Sequence, residues 1–387
     1  MNNNFRLILF GIVIYVVIKL IFAERKQVIE RYTNGKFSYT HCPKYSLSNV
    51  TKEVLDKHGI LVSDAVKDRY SRNIYIPCGY TAVESELKNL TPHKDELIFG
   101  ITGCDNIVSK DNIWKLLVDK YGREKAGELM PKTYLTESNT DLQQFQNEYK
   151  RDTIYILKKN LQRQTGLKLC KDMQEILHLC ATDKKYAVIQ EMLKNPFLVN
   201  GRKINLRVYI LIICKDGKMT GYRYNDGFIY YTPEKYHRFS LKTDENITSG
   251  YVPRRVYQEN PLTHKDLEKY LENKGYSPSY LYSKIDLMLK EVLEAVTGNL
   301  CTGKNLKNNL SFQLFGADVA PDGNLNCRLI EINKGPDMGA KDERDHALKF
   351  KLQEDILNLL GVMEYENGKN GEKERENGFI KFLEVTK

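Results

Sequence analysis

The 387-residue chain is notable first for what it lacks. It has one tryptophan against 25 tyrosines, and its seven histidines are isolated and form no metal-ligand spacing. Its eight cysteines contain no C-x-x-C pair, which excludes zinc ribbons and thioredoxin-type redox motifs. No Walker A loop, no Gly-rich kinase loop with H-R-D and no G-x-S-x-G elbow occurs, so the common nucleotide and hydrolase motifs are absent. The formal charge is +9, yet the basic residues are spread along the chain and not gathered into blocks. With no RNP-like aromatic motif either, nucleic acid is not the expected partner; the mild positive surplus favours acidic ones. An even cysteine count in so long a chain implies no disulfide framework, and reduced thiols in a cytosolic compartment are the simpler expectation.

What is present begins with a membrane-like N-terminus. Residues 7–23 are apolar except for Lys19, and about 17 residues is the lower limit for a spanning helix. A cleaved signal peptide is the rival, but Ile21 stands where a small residue is preferred before a cut after Ala23, so an anchor is favoured. Arg25, Lys26, Arg31 and Lys36 follow it, which puts the bulk of the chain on the cytosolic side. The expected organisation is a transmembrane anchor at 1–24, a juxtamembrane linker at 25–40, a small α/β unit at 41–105, a main domain at 106–362, and a charged mobile tail at 363–387.

The segment 312–336 carries the most chemistry. Apolar alternation on either side of Pro321-Asp-Gly-Asn324 reads as a hairpin. Period-two geometry puts Glu331 and Asn333 on one face, with Asp318 on the partner strand. Two carboxylates and one amide oxygen form a set suited to Mg²⁺, which completes its octahedron with water and phosphate. A polar hairpin face turned to water is the plainer alternative. Lys158 ends an apolar strand and enters a polar loop containing Gly166, a placement that suits polyphosphate. Lys203-Ile-Asn205-Leu-Arg207 puts a lysine, an amide and an arginine on one strand face, which is costly to bury without anionic partners; an exposed sheet face is the other reading. Arg223, on the following strand, is expected to join that surface. Together these suggest a sheet-built ATP–Mg²⁺ site.

Several ordered motifs then carry a resemblance: Gln190-Glu191, Pro196 through Tyr209 with Lys203-x-Asn205-x-Arg207 inside it, Phe315-Gly-Ala-Asp318-Val, and Leu329-Ile-Glu331-Ile-Asn333. They resemble the tubulin–tyrosine ligase-like family over roughly residues 95–362. The resemblance implies an α+β, ATP-grasp-like fold of antiparallel sheets with flanking helices, here preceded by the N-terminal transmembrane helix. It implies a ligase that uses ATP and Mg²⁺ to join an amino acid, glutamate being favoured, to tubulin or another acidic protein through an acyl-phosphate. By the same resemblance Lys158, Arg163 and Gly166 contact phosphate, Gln190 lies where adenine is held, and Lys203 and Asn205 fall on the nucleotide side. Arg207 and Arg223 hold phosphate and the incoming amino acid, and Asp318, Glu331 and Asn333 hold the metal. Asn246-Ile-Thr-Ser249 resembles a diverged His-Leu-Thr-Asn segment. The chain departs from the family at Tyr155 (for Trp), Lys159 (for Pro), Asn205 (for Asp) and Lys334-Gly335 (for small residues). A catalytically inactive module that tethers tubulin or another acidic partner to a membrane is the alternative.

Overall fold

The computed structural model describes residues 38–40, 47–63, 73–78, 83–160, 166–248, 252, 254–362 and 377–387. The apolar run 7–23 and Arg163 lie outside them. Among the described residues no helix is long and apolar enough to cross a membrane.

The chain divides into two units, one formed by residues 1–76, 93–96 and 338–377, the other by 77–92, 97–337 and 378–387. In the first, strand β1 (Ser38–Thr40) pairs in parallel with β2 (Leu61–Ser63) and with β3 (Asn73–Tyr75). The helix Asn49–Lys57 starts where the Ser48 hydroxyl accepts from the Thr51 N–H at 3.1 Å. It buries Val50, Val54 and Leu55 and packs against the helix Glu343–Leu359. Both Lys57 and His58 reach Glu354 on that helix, at 2.6 and 2.9 Å. The helix at 343–359, expected within the main domain, thus belongs with the small N-terminal unit.

The second unit holds two sheets. Its strands are β4 (Leu97–Phe99), β5 (Thr133–Leu135), β6 (Tyr155–Lys159), β7 (Leu167–Cys170), β8 (Tyr186–Glu191) and β9 (Leu198–Val199). There follow β10 (Arg202–Lys215), β11 (Lys218–Tyr231), β12 (Leu310–Pro321), β13 (Cys327–Asn333) and β14 (Phe379–Thr386). The smaller sheet has the order β5-β8-β6-β7, all antiparallel. The larger runs β14-β11-β10-β12-β4 with β13 also on β12. Strand β10 is apolar from Val208 to Ile213 and buried on both faces there, as a central strand must be. The Asp216-Gly217 turn, both residues at positive φ, closes the β10–β11 hairpin in two residues. The Pro321–Asn324 turn forms as expected: Asp322 Oδ1 accepts from the N–H groups of Asn324 and Asn326, both at 2.9 Å.

Two stretches differ from the sequence expectation. The polar loop after Lys158 contains β7 and the helix Met173–Thr182, capped by Asp172. The tail at 363–387 is not mobile throughout: Phe379–Thr386 forms β14, antiparallel to β11. Its charged side chains face out while Phe379 and Leu383 are buried, on either side of a register shift in the ladder, so no simple alternation marks the strand. The thiol expectation also fails. Cys214 and Cys301 form a disulfide with Cα atoms 5.9 Å apart, and Cys78 is disulfide-bonded as well; Cys104, Cys170, Cys180 and Cys327 are free and buried. The cysteine argument for a cytosolic compartment therefore falls away.

Candidate nucleotide and metal site

Register builds the centre of the site. Arg207 of β10 pairs with Asp318 of β12, and Asp318 pairs with Glu331 of β13. Gly316 pairs with Asn333 two residues along. The three expected metal-binding side chains therefore meet. Arg207 clamps Asp318 with both arms of its fork, Nε to Oδ1 at 2.7 Å and Nη2 to Oδ2 at 3.2 Å. Gly316 makes room for this: a Cβ there would lie 3.0 Å from Cδ and Nη1 of Arg207. Asn333 Nδ2 donates to the Gly316 carbonyl at 3.3 Å, which leaves Oδ1 as the acceptor for a cation.

The charges around this centre do not balance locally. Burial raises the Asp318 carboxyl above the usual range, while the Arg207 charge opposes that rise. Burial also pushes Glu331 upward, but Lys110, Lys158 and Arg207 outweigh it and hold the group below its usual value. Lys110, at the start of the helix Lys110–Leu129, lies 3.5 Å from Glu331. Lys158 is buried, and its Nζ donates to Gln190 Oε1 at 2.6 Å, a neutral partner. Burial drives its pKa down to about 8, with Glu331 opposing. Lys203, also buried, has its Nζ 5.5 Å over the Tyr236 ring, and burial with the nearby Lys158 charge brings it down to about 7. Neither lysine has a carboxylate at ion-pair distance among the described residues. Buried Lys158, near the Asp318 and Glu331 charges, and buried Lys203, near Lys158, suit a metal–polyphosphate: the anion restores the lysines, and the cation restores Asp318. The residues present fit Mg²⁺ brought in on a nucleotide.

Other expected residues take different places. Gln190 is fixed by donating to Thr133 Oγ1 at 2.8 Å while it accepts from Lys158. Gly166, at φ 79°, turns the chain into β7, where a Cβ would press on the Lys159 side chain at 2.7 Å. Asn205 pairs across strands with Tyr230. Arg223 does not join Arg207. It pairs with Ile210, so it projects from the opposite face, where it clamps Asp286 of the helix Pro278–Val296. The two-residue turn at Asp216-Gly217 contained that answer, since it fixes the register from which the face is counted. On β11 the site face carries Phe228, paired with Arg207, and Tyr230, whose ring lies 4.9 Å from the Arg207 guanidinium.

The departures also find explanations. Tyr155 is a core residue, with its ring 5.2 Å from Phe145 and its hydroxyl accepting from Lys150 N–H. Lys159 pairs with Asp183 at 2.5 Å. Lys334 is buried against Asp105 at 2.6 Å. Asn246 is buried and donates to the carbonyls of Ser240 and Lys242, so it staples its own loop; Ser249 lies outside the described residues.

Two sheets, one antiparallel and one mixed, bring buried Lys158 to a carboxylate pair, an α+β arrangement that fits ATP-grasp. A family model described as the Tubulin-tyrosine ligase family matches residues 88–369, and the chain belongs to that family. It is 25% identical over 275 residues to tubulin polyglutamylase TTLL7 of Xenopus tropicalis, covering 64% of this chain and 29% of that protein. It is 22% identical over 304 residues to the "Probable tubulin polyglutamylase ttll-9" of Caenorhabditis elegans, covering 75% of this chain and 71% of that protein. With tubulin monoglutamylase TTLL4 of Mus musculus it shares 24% over 282 residues, 67% of this chain and 23% of that protein. The chain thus spans less than a third of the length of two of these three relatives.

Proposed function

We propose that the chain is an ATP- and Mg²⁺-dependent protein–amino-acid ligase that adds glutamate to an acidic protein, with tubulin the favoured acceptor. The observation that carries this reading is the pair of buried lysines, Lys158 near Asp318 and Glu331 and Lys203 near Lys158, neither with a carboxylate at ion-pair distance among the described residues. Membership of the ligase family and the names of the three relatives support it.

Asp318, Glu331 and Asn333 Oδ1 would hold Mg²⁺, which supplies charge neutralisation at the phosphates when bound. Lys158 and Lys203 bind phosphate oxygens and regain their full charge in doing so. The acceptor carboxylate attacks the γ-phosphorus, ADP leaves, and an acyl-phosphate forms. The amine of the incoming amino acid displaces phosphate from that carbonyl carbon, and the amide forms as the amine loses its proton. Arg207, fixed by Asp318 and Tyr230, stabilises charge on the transferring group without reorganising. Holding amine and acyl-phosphate side by side supplies much of the rate.

The test is to incubate the full chain with ATP, Mg²⁺, tubulin and isotope-labelled amino acids, then to analyse tubulin by intact and peptide mass spectrometry. A glutamate-sized increase on tubulin supports the reading. No ATP consumption with any acceptor overturns it. Asn205, an amide that brings no charge to its strand position, favours one second reading, an inactive tether: tubulin would co-sediment with the chain while ATP stays intact. The single-pass anchor with its catalytic side in the cytosol remains a proposal from residues 7–36; protease protection in sealed vesicles tests it.

A further inference from the structure

Far along the β10–β11 hairpin from Arg207, a cavity opens with a volume of about 160 Å³. At roughly 3.3 Å per residue along β10, Cys214 at its edge lies about 20 Å from Arg207, so the cavity is no extension of the nucleotide site. Lys215, Lys218, Lys304, Lys307 and Lys387 line it, against Asp216 as the one acidic lining residue. Those lysines come from three segments remote in sequence, and the structure fastens the segments together. The Cys214–Cys301 disulfide ties the hairpin end to the loop that carries Lys304 and Lys307. Thr102 holds the same loop, its carbonyl accepting from Cys301 N–H at 2.9 Å and its hydroxyl from Gly303 N–H at 2.8 Å. Lys387 N–H donates to the Gly217 carbonyl at 2.7 Å. Lys218 lies 4.0 Å from Glu384, whereas Lys215, Lys304 and Lys307 have no carboxylate at ion-pair distance among the described residues.

Like charges held around a small cavity repel one another until an anion enters. The lysines are exposed, but the segments that carry them are fastened together, and the cavity they ring reaches down to buried Ser311. We propose that this cavity binds a compact phosphate-type oxyanion, and that the Cys214–Cys301 disulfide holds the site closed. The volume accommodates one compact multivalent group and not an extended acidic peptide. Ammonium groups act as point charges converging on such a group.

The test uses the full chain and reads each lysine separately, which keeps it independent of the nucleotide site and of the ligase reading. Lysine acetylation is followed by peptide mass spectrometry during titration with inorganic pyrophosphate at constant ionic strength set by NaCl. Lys215, Lys304 and Lys307 should lose reactivity several-fold along one saturation curve, while exposed Lys94 stays unchanged. The Lys304→Gln/Lys307→Gln double variant, altered only at exposed positions, should raise the midpoint at Lys215 by about tenfold or more. Protection that is absent, or that follows ionic strength alone, would overturn the site. A triglutamate peptide that protects where pyrophosphate does not would overturn the phosphate assignment. Reduction of the disulfide, verified by mass, should weaken protection several-fold; an unchanged midpoint would overturn its closing role.

Discussion

Two arginine–aspartate forks lie on opposite faces of one sheet and have nearly the same geometry. Arg207 meets Asp318 at 2.7 and 3.2 Å, and Arg223 meets Asp286 at 2.5 and 3.1 Å. Their surroundings separate them. Asp318 is paired in register with a second carboxylate and stands near buried Lys158, whose partner is neutral. Asp286 belongs to a helix that packs on the sheet, and its fork joins that helix to β11. Fork geometry therefore says nothing about chemistry; the unbalanced charge around one of the two forks does. A matched buried pair is a fastening, whereas cations buried beyond what their neighbours neutralise are a site for something that arrives.

The strongest way to break this comparison is to remove charge from the site face. Glu331→Gln keeps the shape and loses a metal-binding charge, so ligation should fall by on the order of 10³-fold with the melting temperature almost unchanged. Full ligation by that variant, assayed with labelled glutamate, would sink the metal assignment. Lys203→Met should weaken ATP binding by about 10- to 100-fold, the range for one charge-assisted bond, measured by calorimetry. It should also change the pH profile. Folded Lys203 titrates near 7 against about 10.4 in an unfolded chain. Between those values the unfolded state binds more protons, so the ligand-free chain gains stability as pH rises through that window. The variant should show a shallower rise in thermal unfolding between pH 7 and 10, and it should take up fewer protons on binding ATP at pH 8. An identical slope would mean that Lys203 is not buried as a strained cation.

The sequence was most informative where chemistry follows local period. The β12–β13 hairpin, the Asp216-Gly217 turn and the convergence of Asp318, Glu331 and Asn333 all follow from alternation and turn residues. The face of Arg223 was equally available, because the two-residue turn sets the register as far as the Ile210–Arg223 pair, before the ladder shifts; assigning a side from strand proximity alone put it beside Arg207. What stayed hidden depends on partners distant in the chain. Nothing near Arg223 announces Asp286, nothing in the charged C-terminal stretch announces β11, and cysteine count cannot reveal that Cys214 meets Cys301. Tyr230 was passed over because an aromatic residue on a strand usually means core.

On the opposite face the expected effects are on stability and not on chemistry. Asp286→Ala would leave buried Arg223 without its carboxylate, which costs about 2–3 kcal/mol once the partial exposure of Asp286 is discounted. Urea unfolding should show that loss, while ATP affinity stays within about twofold of the parent. A large loss of ATP affinity in a variant that remains folded would mean that the two faces are coupled through β10.

Tyr230 gives the smallest effect and the sharpest discrimination, because its ring lies against the Arg207 guanidinium. Its ring offers the guanidinium an electron-rich face in a partly buried place, worth about 1–2 kcal/mol. If that face holds Arg207 ready for phosphate, Tyr230→Ala should slow ligation by about tenfold, and Tyr230→Phe, which keeps the ring, should leave it almost unchanged. If the hydroxyl instead contacts substrate, both variants should fail alike. The Phe variant therefore separates an aromatic support behind Arg207 from a group that touches the reacting atoms. It does so on the face where charge is already unbalanced, which is where a loss of about 1 kcal/mol in positioning reads out as rate and not as stability.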